Sequence, residues 1–276
     1  MRRPRRAGST TSNCRGDSRI TTRLLIPKEH GAYGQLLIPL LTALLVGSPS
    51  PGAWLLAASA TAVFFAHEGL LVLLGQRGVR AAREQRASAT RSVALFGGFG
   101  LVTGVVALSV LPADARVWLF LPVALAACVA VVVYLHLERT TGGELLVAAA
   151  LSSMSVPLTL AGDGRMAQAS TVFAVFAAIF AAATLSVRAL IGRTHRGAGP
   201  SPLLAAALTL VAVALLAWLS MTTRLAPVAP YAALPVCAVA VYLALVPPAP
   251  KYLREIGWTL VAATVLTAAV LVVGLR

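Results

Sequence analysis

Three ionisable residues in a row, Lys28-Glu29-His30, stand in the stretch IPKEHGAYGQ, where polar sequence gives way to the first long apolar run. Charged residues make up only 12% of the chain, so such a triplet at that boundary asks for a reason. A lysine can meet an anion, a glutamate can move a proton, and a histidine can titrate or bind a metal near neutral pH. The bland reading is an interfacial anchor, for which Lys28 and Tyr33 would suffice. A second pair, His67-Glu68, interrupts the otherwise apolar AWLLAASATAVFFAHEGLLVLLG. Counted at ~1.5 Å per residue from Ala53, Glu68 lies roughly 22 Å into a ~30 Å hydrocarbon core. A charge there costs about 2–3 kcal/mol without a partner or water. Glu68 is therefore expected to face the bundle interior and to meet an arginine from another helix end, Arg139 or Arg188.

Further groups follow the same pattern. In GQRGVRAAREQR, Arg77, Arg80 and Arg83 recur every three residues and share one helical face. That face suits a lipid phosphate or a diphosphate, and plain headgroup anchoring equally. HLERTTGGELL brings His136, Glu138 and Arg139 to the end of one apolar run and Glu144 to the start of the next. There a carboxylate also favours a helix N-terminus. SVRALIGRTHRG adds Arg188, Arg193, His195 and Arg196. The expectation is one polar site built from Lys28, Glu29, His30, His67, Glu68, Glu138, Arg139 and Glu144. Arg77, Arg80, Arg188 and Arg193 would meet a phosphate. No metal site is expected: Cys14, Cys128 and Cys237 are scattered, and His67-Glu68 lacks the second histidine of a metalloprotease helix. No P-loop, Gly-x-Gly-x-x-Gly or orderable nucleophile triad appears, and nothing names a cofactor.

The elements that must position these groups are membrane helices. The chain has 276 residues, 58% of them hydrophobic, with a mean hydropathy of +0.85. A soluble domain would be nearer half apolar and a quarter charged. Apolar runs fall near 31–47, 53–75, 92–111, 117–135, 144–162, 168–190, 201–220, 227–246 and 256–275. They predict an all-α polytopic membrane protein of about nine transmembrane helices. The first run is short and contains Pro39, so a kinked or re-entrant segment is expected there. Residues 1–23 read as a disordered basic cytoplasmic tail and 24–276 as the transmembrane domain. The net charge of +14 need not mean nucleic acid, because cytoplasmic loops of membrane proteins are arginine-rich. With the N-terminus inside, 19 of the 23 basic residues fall on one side, leaving Arg116, Arg165, Arg224 and Arg276 opposite. The N-terminus is thus expected in the cytoplasm. Every histidine and every glutamate falls on that same side, whereas Asp114 and Asp163 lie opposite. Gly100 and Gly104 in GGFGLVTG form a small-xxx-small pair that lets helices pack closely.

PKEHGAYGQLLIP resembles the signature of the YwiC-like family of bacterial integral membrane proteins, with Tyr33 in place of the usual tryptophan. HEGLLVLLGQRGVRAAREQR is similar to that family's second block, and Glu138, Arg139 and Glu144 to a third. The resemblance implies a membrane protein and carries no defined activity. The layout of nine helices, with polar loops after helices two, four, six and eight, is also similar to UbiA-type prenyltransferases. Those enzymes hold prenyl diphosphate through Mg²⁺ on two aspartate-rich motifs. Here neither corresponding loop has an aspartate, and arginines stand in their place. Two functions follow as expectations. One is a UbiA-like enzyme whose cytoplasm-facing site takes an isoprenoid or phospholipid ligand from the bilayer. The other is a transporter for a small anionic or proton-coupled solute. Polar groups on one face favour the first, because a transport path usually needs them near the midplane.

Overall fold

A computed structural model describes residues 24–25, 30–194, 200–246, 248 and 252–276. The described residues fold into helices and no strands. In chain order these are α1 (His30–Val46), α2 (Pro51–Leu73), α3 (Val79–Glu84), α4 (Arg86–Ser92), α5 (Gly98–Val110), α6 (Ala113–Trp118), α7 (Phe120–Tyr134), α8 (Thr141–Ser153), α9 (Ser155–Ala161), α10 (Met166–Thr194), α11 (Pro202–Met221), α12 (Ala229–Leu245) and α13 (Leu253–Leu275). A π-helical turn, Val93–Gly97, joins α4 to α5, so Arg86–Val110 is one continuous rod. Ala113–Tyr134 and Thr141–Ala161 likewise act as single spans. Among the described residues, seven helices are long and apolar enough to cross a membrane, and Gly31–Val46 and Ala229–Leu245 are shorter apolar helices. The chain is an all-helical, multi-pass membrane protein, and the apolar runs of the sequence coincide with its spans.

Local chemistry sets where the spans begin. The Ser50 and Ser201 side chains each accept a backbone N–H in the first turn, and a proline follows directly as the first residue of α2 and α11. Proline loses nothing there, since its missing N–H would be unpaired anyway. Thr140 caps α8 in the same way, accepting from Gly143 N at 3.1 Å. α1 is a single helix that contains Pro39. It lies inside the bundle, with Leu36, Leu40, Ala43 and Leu44 buried, and it packs on α9 and α13.

α10 is the central post. It packs on α8, α9, α11 and α12 and buries Val172, Val175, Phe176 and Ile179 completely. α12 offers it Ala229, Ala232, Ala233 and Ala240, all fully buried. Small residues let backbones approach where lipid supplies no hydrophobic drive. Ser59 Oγ donates to Gly100 O at 2.7 Å, and a Cβ at Gly104 would stand 2.9 Å from Ser59 Oγ. The Gly100/Gly104 pair is therefore the seam between α2 and α5.

Candidate functional site

The ionisable groups sit where α2, α7, α8 and α10 meet one end of the bundle. On α2 the site depends on how that helix stops. Gly75 stands in the left-handed region at φ 76°. Its N–H donates to Val72 O, and the Gln76 N–H donates to Leu71 O. This is the two-bond cap that a glycine after the last turn permits. Gly78, at φ 93°, then turns the chain into α3. The reversal carries Arg77 back along α2, where Nε meets Glu68 Oε1 at 3.0 Å and Nη2 meets Oε2 at 2.6 Å. Glu68 thus finds its arginine nine residues on, not in Arg139 or Arg188. Its side chain is only 20% exposed, and it lies five residues, about 7.5 Å, before the end of α2. A forked guanidinium–carboxylate pair is the strong form of this contact and removes the cost of a lone carboxylate at that depth.

A second fork joins α8 to α10. Arg188 Nε and Nη2 meet Glu144 Oε2 and Oε1, each at 2.6 Å, and Nη2 also donates to the Arg139 carbonyl. Glu144 is thus a cross-helix partner, and Thr140 does the capping. Arg139 joins through its backbone, while its side chain belongs to an exposed residue. The turn before α8 mirrors the one after α2. His136 N donates to Val133 O and Leu137 N to Val132 O, with His136 at φ 57° where glycine is usual. Glu138 follows, and its Oε2 is buried without a hydrogen-bond partner among the described residues. Gln76 Oε1 is in the same condition.

The opening motif can be placed only by its flanks. Lys28 and Glu29 lie outside the described residues, as do the side chains of His30 and Arg193. Before the motif, Leu25 N donates to the buried Ser92 Oγ of α4 at 2.8 Å. After it, the Tyr33 ring packs on Phe64 and Phe65 of α2, at centroid distances of 5.7 and 5.9 Å. Phe65 in turn stacks on Phe96 of the π turn at 5.3 Å. Both flanks therefore meet the structure that carries Glu68 and the exposed His67. Gly69 makes this junction close, since a Cβ there would stand 2.9 Å from Ala89 O. The described contacts bind Glu68 to Arg77, and Glu144 to Arg188 and Arg139, and they do not link the two groups. Arg80 pairs with Glu84 at 2.7 Å in the open. Arg83, Arg86 and Arg91 are exposed and have no carboxylate partner among the described residues.

Sequence reasoning missed Ser92, the π turn with Phe96, and a groove. The groove, of about 450 Å³, runs between α1, α2 and the π turn, past Leu37, Leu44, Trp54, Phe65, Phe96 and Phe99. The nearest sequence signal was the row of phenylalanines, Phe64, Phe65, Phe96 and Phe99. Among the described residues no three His, Cys, Asp or Glu gather as metal ligands. The magnesium of a UbiA-type site does not fit this donor set.

Residues 26–159 match the family model described as YwiC-like protein. This region is YwiC-like. It holds the Lys-Glu-His motif, the Glu68–Arg77 fork, the groove and Glu144. Arg188 lies beyond it, so the second fork ties the YwiC-like region to the rest of the chain. No curated protein and no solved structure matches the chain.

Proposed function

We propose that the arginine-bearing end is a cytoplasm-facing site for the phosphate of a membrane lipid or isoprenoid, in a bacterial inner-membrane protein of UbiA-like layout. One observation carries the reading: guanidinium groups gather at this end in excess of carboxylates, and two of them are held in fixed forks. A paired arginine is pre-aimed, and the guanidinium has five N–H donors. Arg188 uses its Nε and Nη2 edge on Glu144 and the Arg139 carbonyl, leaving the Nη1 donors for a phosphate oxygen. Lys28, Glu29, His30 and His67 would complete the site from the adjoining α1–α2 junction.

A transport reading would rest on the break between α8 and α9 at Met154, because broken spans mark many transporter sites. The hydroxyls there are already used within their own helices: Ser152 donates to Ala148 O, Ser155 to Ser152 O and Thr159 to Ser155 O. They offer a path nothing, so the lipid-site reading is preferred.

The test is a lipid extract of the purified protein, analysed by mass spectrometry against the bulk membrane. The expected result is enrichment of a phosphate-headed lipid or isoprenoid that Arg77→Gln and Arg188→Gln abolish. An extract matching bulk membrane would end the proposal. Sidedness has its own check: a cysteine at 82 should label from the cytoplasm and one at 163 from outside.

A further inference from the structure

We infer that the groove between α1, α2 and the π turn holds the tail of a long-chain polyprenyl phosphate whose head lies at the arginine-bearing end. The inference rests on the reading above and names the ligand class. The groove is apolar along its length, and its one hydroxyl, on Thr61, is spent on Ala57 O of its own helix at 2.8 Å. It opens sideways, because Leu41, Trp54 and Phe99 along it are more than half exposed.

Depth decides which chain fits. Ser92 lies level with Gly69, as the contact of a Cβ at Gly69 with Ser92 shows. The far end of the groove is at Trp54. The fifteen residues between them on α2 span about 22 Å at 1.5 Å per residue. Half the hydrocarbon core is about 15 Å. An acyl chain anchored at the arginine-bearing surface therefore stops short of the groove's far end, and a long isoprenoid does not. Charge agrees at the near end. Arg91 is exposed, adjoins Ser92 and has no carboxylate partner among the described residues. Five residues on, Phe96 lines the groove. In a regular α-helix those two positions lie about 140° apart around the axis. The wider turn of Val93–Gly97, with its i→i+5 hydrogen bonds, reduces that angle and brings head and tail positions toward one side.

The experiment is native mass spectrometry of the full-length protein in detergent with three probes: undecaprenyl phosphate, farnesyl phosphate and dipalmitoyl phosphatidic acid. The wild type should retain undecaprenyl phosphate at least tenfold over the other two. Ala58→Phe, which fills the groove, should bring undecaprenyl phosphate down to the farnesyl level and leave farnesyl phosphate unchanged. Ala58→Leu should give an intermediate preference and carries the test should Ala58→Phe not fold. Equal retention of the long and short isoprenoids, or a length preference that survives both substitutions, overturns the inference while leaving the phosphate site standing. Phosphatidic acid retained above undecaprenyl phosphate would make the groove an ordinary phospholipid seat and overturns it too. Retention of none of the three defeats the reading of the arginine-bearing end, and this one with it.

Discussion

The two ends of the helix bundle are built by different means. At the end opposite the arginines, short loops are tied to one another largely through backbone atoms. Ser48 N donates to Gly162 O at 2.5 Å, Ser50 Oγ to Ala161 O at 2.6 Å, and Gln168 Nε2 to Leu275 O at 2.7 Å. Arg276, the last residue, donates through Nε to Leu45 O at 2.6 Å, so even a cation there serves a carbonyl. These links bring α1, α2, α9, α10 and α13 to one point without an ion pair among the described residues. At the arginine-bearing end, connections run through charged side chains, and buried oxygens of Gln76 and Glu138 have no hydrogen-bond partner among the described residues, nor has Thr267 Oγ1 within α13. Orphaned buried acceptors cost free energy. The first end is a clamp, and the second is the one proposed to bind a phosphate.

Substitutions can break this contrast, and the largest effect is expected at the clamp. A Cβ at Gly162 would stand 2.5 Å from Ser48 O and 3.0 Å from Ser48 N, both backbone atoms that cannot swing away. Gly162→Ala is predicted to cost about 2–3 kcal/mol, the upper part of the ~1–3 kcal/mol usual for overpacking, read as a lower thermal midpoint in detergent. Next comes Gly75→Ala. A side chain in the left-handed region costs about 1–2 kcal/mol, and the turn that returns Arg77 to Glu68 should loosen. Protease access at 76–78 should rise in this variant, and that of the opposite end should not. Glu144→Gln is expected to cost about 1 kcal/mol, because the carboxylate is 43% exposed and solvent screens the pair. A double-mutant cycle with Arg188→Gln should give a coupling energy of the same size. The smallest effect is at Arg80 and Glu84, whose pairing is open to solvent. Arg80→Ala should change stability by less than about 0.5 kcal/mol.

The seven membrane-crossing helices and the two shorter apolar ones could be read from hydropathy because each is an apolar run ended by polar or proline-bearing loops. The third began earlier than its hydropathy, at Arg86 instead of 92. Its first turns are the polar RASATRS, whose helix gains nothing from lipid and is held by packing on α2. Pro39 did not break α1, because neighbouring helices enclose it. The crowding of ionisable groups at one end was also legible, since the loops alternate sides. The pairing of Glu68 was not. Arg77 is brought back by the left-handed turn at Gly75, so it leaves the helical face that its three-residue spacing with Arg80 and Arg83 predicts, and α3 begins only at Val79. The pairing of Glu144 with Arg188 crosses 44 positions, a distance over which one sequence shows no partner. The π turn left no mark in hydropathy, because a single wider turn does not alter which residues are apolar.

The contrast between clamp and site is tested most directly by the thermal shift that farnesyl phosphate produces in the purified full-length protein. A ligand bound only to the folded state raises the midpoint. The account predicts a rise in the wild type, the same rise from a lower starting midpoint in Gly162→Ala, and none in Arg77→Gln or Arg188→Gln. A rise that survives both arginine substitutions, or one lost in Gly162→Ala while the arginine variants keep it, would contradict the assignment of the two ends.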